Sequence, residues 1–237
     1  MVRLFLICLL ISCSSTPAWA ESDCVILLHG LARTSGSMGK IANSLEESGY
    51  TVANIGYPSR KKPIAELAET AVPAGMAQCA TANAGTVHFV THSLGGILVR
   101  YYLSRHSISN LGRVVMLAPP NQGSEVVDQL RSVPGFKLMN GPAGVQLGTD
   151  AVSIPLQLGP VDYPVGVIAG TRTINPILST YLPDPDDGKV SVRRSQVQGM
   201  ADFIALPVSH TFIMRDDEAI AQIKAFLQSG SFEQHSR

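Results

Sequence analysis

The residues of this chain with the clearest capacity for chemistry are Ser93, Asp187 and His210, which follow one another in that order. A serine hydroxyl is a weak nucleophile at neutral pH. It becomes reactive when a histidine accepts its proton and a carboxylate fixes the tautomer of that histidine. Ser, Asp, His is one of the chain orders in which such triads occur. We therefore expect Ser93 to be a nucleophile, His210 its general base and Asp187 the residue that orients the base.

The serine lies where the sequence predicts a sharp turn between a strand and a helix. An apolar run over 87–90 leads into Thr91-His92-Ser93-Leu94-Gly95-Gly96, and an amphipathic segment follows. Turns of this kind usually read Gly-x-Ser-x-Gly, because small flanking residues let the strand and the helix approach closely. Here Thr91 occupies the first glycine position. Since a serine beside glycines is also an ordinary turn, its assignment depends on its partners.

His210 is the preferred base because it follows the last predicted strand, over 203–208. The other histidines are expected to have different roles. His29 shapes the backbone of the His-Gly pair, and the side chain of His92 diverges from Ser93. His88 is a hydrogen-bonded residue in the interior of a strand, while His106 and His235 are exposed.

The carboxylate is harder to assign, since Asp184, Asp186 and Asp187 share one loop. Asp187 precedes Gly188 and is our choice, with Asp186 second and Asp162 a distant third. We interpret the other aspartates of this loop, Asp184 and Asp186, as turn residues, a role that Asp fills well.

A serine nucleophile also requires two preorganised N–H donors for the negative oxygen that forms during attack. One is expected from the backbone of Leu94, the residue after the serine. The other is expected from the loop after the first strand, at Leu31, which follows His29-Gly30. Both donors belong to the main chain, so the side chains at these positions carry little information.

The elements that must position these residues alternate between apolar strands and amphipathic helices. Strands are predicted at 24–28, 50–55, 87–90, 113–118, 165–170 and 203–208, and helices at 37–47, from 63 onward, after Ser93 and at 216–227. Ser37 is expected to cap the first helix, and Pro73 to kink or interrupt the second. This alternation predicts an α/β fold with a mostly parallel sheet and helices on both faces. The carboxyl edge of such a sheet is where ligands bind.

The regular alternation stops over 119–160, a stretch rich in Gly and Pro with one predicted short helix at 124–131. Long insertions of this kind inside a compact domain are usually functional. We therefore interpret 119–160 as a cap or lid over the site. The alternative is a long surface excursion without catalytic consequence.

Composition and targeting signals define the setting in which this site works. Eighteen basic and eighteen acidic residues balance, and no basic run is present, so we expect no nucleic-acid partner. Residues 1–20 read as a signal peptide with an Ala18-Trp19-Ala20 cleavage site, which predicts export, periplasmic or secreted, as a single domain over 21–237. The alternative is a lipid anchor at Cys13.

Cleavage after Ala20 leaves two cysteines, Cys24 and Cys79. An even count in an oxidising compartment permits a disulfide. Cys24 begins the first predicted strand and Cys79 ends the helix before the serine strand, so both are expected at the end of the sheet away from Ser93. Two buried free thiols are the alternative.

These segments together resemble the α/β-hydrolase fold family, within it the bacterial lipase and esterase branch. The resemblance rests on 25–31 (VILLHGL), 91–96 (THSLGG), 186–188 (DDG) and His210, and it covers nearly all of the chain after residue 20. It implies a carboxylic ester hydrolase that forms an acyl-serine intermediate, without a metal or cofactor. It also implies a small-molecule ester or lipid substrate, a lid over an acyl pocket and transient contact with lipid surfaces.

Two other functions remain open at the level of sequence. An acyltransferase or a lipid-remodelling deacylase uses the same triad and differs in the acceptor that resolves the acyl-enzyme. A non-catalytic exported binding protein on the same scaffold is disfavoured by the complete triad. The sequence does not specify the oligomeric state.

Overall fold

A parallel sheet of six strands forms the centre of the computed structural model, which describes residues 22–233. The strands are β1 (Cys24–Leu28), β2 (Thr51–Ile55), β3 (Val87–His92), β4 (Leu111–Leu117), β5 (Val165–Gly170) and β6 (Asp202–Leu206). Their order is β2-β1-β3-β4-β5-β6, and every pairing between neighbours is parallel. β3, the strand that leads to Ser93, therefore lies inside the sheet between β1 and β4.

Helices cover both faces of this sheet. They are α1 (Gly39–Glu47), α2 (Ile64–Thr81), α3 (Leu94–Leu103), α4 (Glu125–Leu130), α5 (Phe136–Val145), α6 (Ile154–Gln157), α7 (Pro176–Ser179), α8 (Val192–Ser195) and α9 (Asp217–Ser229). Alternate residues of β1 point to opposite faces, so Ile26 packs with α2 and α3 whereas Leu27 packs with α1 and α9. Two buried faces explain why β1 and β5 are uninterrupted apolar runs.

The predicted α/β architecture is confirmed, and the predicted strands differ from the observed ones by one or two residues at their ends. β1 and β5 have the predicted bounds, while β4 begins at Leu111 and β6 ends at Leu206. Differences of this size are normal, because hydrogen bonding frays at the ends of an element.

The predicted cap at Ser37 was wrong, and so was the predicted interruption at Pro73, whereas a kink there stays a prediction. Ser37 does not cap α1, since it lies inside a 3₁₀ turn over Ser35–Met38 and its hydroxyl donates to the Thr34 carbonyl (2.7 Å). α2 is not interrupted at Pro73. A proline in a helix leaves the carbonyl four residues earlier without its donor. That residue is Glu69, which is exposed, so water can hydrogen-bond to its carbonyl.

The stretch 119–160 contains three helices, α4 to α6, where the sequence predicted one. α5 shows no helical periodicity in the sequence because it consists of two short helical pieces. They are joined at Gly141, whose φ of 68° and ψ of −174° are not helical, and Pro142 follows. The short helices α7 and α8 were also not predicted, since four residues give no periodic pattern.

A disulfide joins Cys24 at the start of β1 to Cys79 near the end of α2. Both residues are buried, and their Cα atoms are 5.7 Å apart. The bond lies at the amino end of β1, and Ser93 follows the carboxyl end of the neighbouring β3.

The predicted signal peptide over 1–20, with the alternative anchor at Cys13, lies outside the described residues, as does His235. Within residues 22–233, no helix combines the length and the apolar composition needed to cross a bilayer.

Candidate active site

Ser93 occupies the turn between β3, which ends at His92, and α3, which begins at Leu94. Its φ of 51° and ψ of −117° are unusual for a residue with a side chain. Such a conformation costs about 1–3 kcal/mol and persists only where the surrounding structure enforces it. Here the Ser93 N–H donates to the Leu117 carbonyl of β4 (2.8 Å), and the Ser93 carbonyl accepts from Gly96 (3.0 Å). The turn holds the serine hydroxyl above the carboxyl edge of the sheet.

Glycines around the turn allow the close approaches that it needs. A Cβ atom on Gly95 would collide with the Leu28 carbonyl of β1, and one on Gly30 would lie 3.3 Å from the Ser93 Cβ. The loop after β1 is therefore in contact with the serine turn.

Thr91, which replaces the usual first glycine, is fully buried. Its hydroxyl donates to the Val115 carbonyl of β4 (3.3 Å), so the extra polar atom has a partner. A Cβ on Gly96 would lie 3.3 Å from this hydroxyl oxygen. The absence of a side chain at Gly96 thus leaves room for the threonine.

The structure brings Ser93, His210 and Asp187 into one hydrogen-bonded chain. His210 Nε2 lies 3.0 Å from the Ser93 Oγ, and His210 Nδ1 lies 2.8 Å from Asp187 Oδ2. An ionised carboxylate only accepts hydrogen bonds, so Nδ1 carries the proton and Nε2 accepts from the serine hydroxyl. All three side chains are buried. This geometry suits proton transfer from the serine to the imidazole.

Asp187 is fixed by contacts on both sides of its carboxylate. Oδ1 accepts the backbone N–H groups of Lys189 (2.9 Å) and Val190 (2.8 Å), which leaves Oδ2 for His210. The Asp187 carbonyl also accepts the His210 N–H (3.0 Å). Asp187 does not directly follow β5, which ends at Gly170, but returns to the strand end after residues 171–186. A Cβ on Gly170 would lie 2.8 Å from the Asp187 Cβ, so this glycine makes room for the return.

The competing aspartates have other positions. Asp186 Oδ1 accepts from Ser179 Oγ (2.7 Å) and from the Gly188 N–H (2.6 Å). These bonds fit the turn role expected for an aspartate that does not orient the histidine. Asp184 is exposed. Asp162 precedes the amino end of β5 and therefore lies at the opposite edge of the sheet from Ser93.

His92 lies beside His210. Its ring centroid is 4.9 Å from that of His210, and its Nε2–H donates to the His210 carbonyl (3.0 Å). Burial, followed by the charge of His210, holds its pKa well below the usual range, so the ring is neutral. Nδ1 is then an acceptor, and it has no hydrogen-bond partner in the described part of the chain. The prediction that this side chain diverges from Ser93 stays a prediction, because these contacts join His92 to His210.

His29 shapes the first loop, as its position in the sequence suggests. Its Nε2 accepts the Tyr57 N–H (3.3 Å), so its Nδ1–H donates to the Gly30 carbonyl (2.9 Å). Tyr57 stacks on the imidazole with ring centroids 4.0 Å apart, and its hydroxyl donates to the His29 carbonyl. Burial lowers the pKa of His29, which favours this neutral form. The sequence does not indicate this role for Tyr57, because His29 and Tyr57 become neighbours only in the folded chain.

The two residues predicted to supply N–H donors lie near Ser93. Leu94 is the first residue of α3, where a backbone N–H has no partner within the helix. Leu31 follows Gly30 and lines the pocket above the serine. Among residues 22–233, neither N–H donates to a protein acceptor. Both groups are therefore free to bind an oxygen of a ligand.

A pocket of about 350 Å³ opens above Ser93 and His210, and the 119–160 stretch supplies most of its wall. Its apolar cap residues include Val126, Val127, Leu130, Phe136, Met139 and Leu147. These residues form part of the wall of the cavity above Ser93, which is consistent with the predicted cap. Leu138 and Met139 are exposed next to the pocket, at 86% and 67%.

A buried arginine joins both ends of the 119–160 stretch to the helix that follows the serine. Arg100 of α3 donates to the carbonyls of Asn121 (2.8 Å), Gly159 (2.7 Å) and Pro155 (3.3 Å). Burial lowers its pKa to about 10. The sequence reading did not identify Arg100, although a lone charge in the apolar segment LGGILVRYYL was a signal for it.

The parallel sheet, the strained serine turn and the Ser-His-Asp arrangement define the chain as an α/β-hydrolase. The profile of the palmitoyl protein thioesterase family matches residues 24–153, and the chain belongs to this family. No curated protein sequence matches it.

Solved structures of low sequence identity share the fold. A Bacillus licheniformis lipase in its mature form is 16% identical, with 89% of this chain and 93% of the lipase covered and a TM-score of 0.68. A Legionella pneumophila phospholipase is 20% identical over 80% of this chain and 54% of its own, with a TM-score of 0.64. A Staphylococcus hyicus lipase is 13% identical over 82% and 89%, with a TM-score of 0.59.

Proposed function

We propose that the protein is a serine hydrolase that cleaves acyl esters through an acyl-serine intermediate. The observation that carries the proposal is the hydrogen-bonded chain from Ser93 through His210 to Asp187 at the floor of an apolar pocket. Membership of the palmitoyl protein thioesterase family supports it, and so does the fold shared with two lipases and a phospholipase.

In the first half of the reaction, Ser93 Oγ attacks the carbonyl carbon of the acyl group while His210 Nε2 takes the hydroxyl proton. The Leu31 and Leu94 N–H groups stabilise the negative oxygen of the tetrahedral intermediate. The charged imidazole then gives its proton to the leaving alcohol, and the acyl-serine remains. Asp187 holds the imidazole in the reactive tautomer and stabilises its positive charge.

In the second half, His210 removes a proton from a water molecule, which attacks the acyl-serine carbon. Collapse of the second tetrahedral intermediate returns the proton to Ser93 and releases the carboxylic acid. The acyl chain lies against the apolar cap wall, where its burial contributes about 0.8 kcal/mol per methylene.

The same residues can also hydrolyse a thioester. The family match favours thioester hydrolysis as a second candidate function. The chemistry is the same, except that a thiol departs in place of an alcohol. A comparison of an oxygen ester and a thioester with the same acyl chain decides which is the better substrate.

We also propose that the protein works outside the cytoplasm as a single domain after removal of residues 1–20. The Cys24–Cys79 disulfide supports this, because such bonds persist in oxidising compartments. Mass spectrometry of protein recovered from the periplasm, the medium and the membrane fraction tests the cleavage site and the lipid-anchor alternative together.

The central test uses p-nitrophenyl esters of increasing acyl length with the wild type, Ser93→Ala and Ser104→Ala. Ser104 ends the same helix but is exposed, so its substitution is a matched control. We expect Ser93→Ala to lower kcat by at least about 10³-fold with an unchanged circular dichroism spectrum. Turnover by a folded Ser93→Ala protein at a rate near that of the control contradicts the mechanism.

A further inference from the structure

Within residues 22–233, the lining of the pocket above Ser93 contains two positively charged side chains and no carboxylate. Arg33 comes from the loop after β1, and Lys189 from the loop that carries Asp187. Every other lining residue is apolar, neutral and polar, or one of the histidines His92 and His210. A chain with equal numbers of acidic and basic residues thus concentrates positive charge at one cavity.

Neither cation has a partner that neutralises it. Among the described residues, the side chains of Arg33 and Lys189 form no ion pair or hydrogen bond. The nearby Asp187 carboxylate is already engaged by His210 and by two backbone N–H groups.

The two charges are also within electrostatic reach of each other. Surrounding protein, and then the charge of Arg33, lower the pKa of Lys189. Both residues are exposed to solvent. Two like charges that line one cavity attract an anion to it.

The apolar and cationic residues divide the pocket into two parts. The cap contributes apolar side chains such as Val127 and Leu130, and no charged residue of 119–160 lines the cavity. The cations come from loops at the sheet edge, on the same side as Ser93 and His210. An ester bound at Ser93 can therefore place its acyl chain against the cap and its other half against the cations.

We propose that the preferred substrates are acyl esters or thioesters whose alcohol or thiol half carries a phosphate group, which Arg33 and Lys189 bind. This inference rests on the function proposed above and specifies its substrate class. A guanidinium matches two phosphate oxygens with its planar fork, and an ammonium adds a point charge. A phosphate monoester carries a charge of about −1.5 to −2 at neutral pH, which matches two cations, whereas a carboxylate neutralises only one.

Two kinds of molecule supply this chemistry, and matched substrate pairs distinguish them. The first pair is octanoyl glycerol 3-phosphate and octanoyl glycerol, which represent a phospholipid headgroup and its neutral counterpart. The second is S-octanoyl 4′-phosphopantetheine and S-octanoyl pantetheine, which represent a carrier thioester. Within each pair the phosphate is the only difference, and the short acyl chain favours monomeric substrate in solution.

The readout is the ratio of kcat/KM for the phosphorylated member of a pair to that for the neutral member. We expect the wild type to prefer the phosphorylated member in at least one pair, and the pair with the larger ratio identifies the source. Arg33→Gln and Lys189→Met are each expected to lower that ratio about tenfold, the effect of one charge-assisted hydrogen bond. Lys224→Gln, on the distant helix α9, is the control and should keep the wild-type ratio.

A wild-type ratio at or below one in both pairs overturns the inference, and so does an unchanged ratio in both Arg33→Gln and Lys189→Met. This failure is separate from failure of the proposed function, since hydrolysis of the neutral esters that depends on Ser93 leaves that function intact. The salt dependence of the wild-type ratio needs no variant. Because ions screen exposed charges, the ratio must fall as sodium chloride is raised, and a constant ratio also overturns the inference.

Discussion

Substitution of Asp187 by asparagine is the sharpest test of the hydrogen-bonded chain, because the structure determines how the new side chain will be oriented. Oδ1 of Asp187 accepts two backbone N–H groups, those of Lys189 and Val190. An asparagine must place its carbonyl oxygen at this position, since its NH₂ group there would face two donors. The NH₂ group therefore occupies the position of Oδ2 and points at His210 Nδ1, 2.8 Å away.

This orientation reverses the tautomer of the base. His210 Nδ1 must now accept a hydrogen bond, so the ring proton moves to Nε2, the atom that faces the Ser93 hydroxyl. A protonated Nε2 cannot take the serine proton. We expect kcat to fall by about 10³- to 10⁴-fold, which corresponds to about 4–5.5 kcal/mol of lost transition-state stabilisation. KM should change much less, because the pocket is intact.

Asp186→Asn is the matched control. The same argument places its carbonyl oxygen at Oδ1, where it still accepts from Ser179 and Gly188. It should therefore retain most of its activity. The assay is hydrolysis of a p-nitrophenyl ester by both variants, with thermal unfolding to show that each is folded. Activity of folded Asp187→Asn within tenfold of the wild type refutes the reasoning, and a greater loss in Asp186→Asn assigns the carboxylate to the neighbouring residue.

Three further predictions concern stability. Replacement of both Cys24 and Cys79 by alanine removes a cross-link between residues 55 apart in sequence, which should lower the free energy of unfolding by about 4 kcal/mol in urea titrations. Arg100→Met leaves three cap carbonyls without their donor, so we expect a loss of about 2–4 kcal/mol and faster proteolysis within 119–160. Burial lowers the pKa values of His29 and His92 below 6.5. Because the unfolded chain then binds more protons, the free energy of unfolding should fall as pH decreases from 7 to 5, by up to about 1.4 kcal/mol per pH unit for each histidine.

Each of these predictions has an outcome that contradicts it. A wild type whose unfolding midpoint is the same with and without reductant argues against a stabilising disulfide. Unchanged proteolysis in Arg100→Met means that the arginine does not hold the cap. A stability that stays constant or rises between pH 7 and pH 5 is inconsistent with neutral, buried histidines at these two positions.

Sequence patterns determined the strands and the order of the site residues. Apolar runs such as Cys24–Leu28 and Val165–Gly170 were predicted with their observed bounds, because strands buried on both faces leave a continuous apolar pattern. The turn at Ser93 was predicted from local composition for a related reason. Its backbone conformation requires small neighbours, and that requirement is visible in the residues themselves.

Only the tertiary structure decided the features that depend on partners distant in sequence. Asp187 and Asp186 are equivalent in local composition, and their roles separate because one carboxylate meets His210 and the other meets Ser179. The cap helix α5 was hidden because a kink divides it into pieces too short for a periodic pattern. The close position of His92 to His210 and the concentration of positive charge at the pocket arise from loops that the sheet brings together. Periodicity records which face of an element is buried, but not which side chains from separate elements meet.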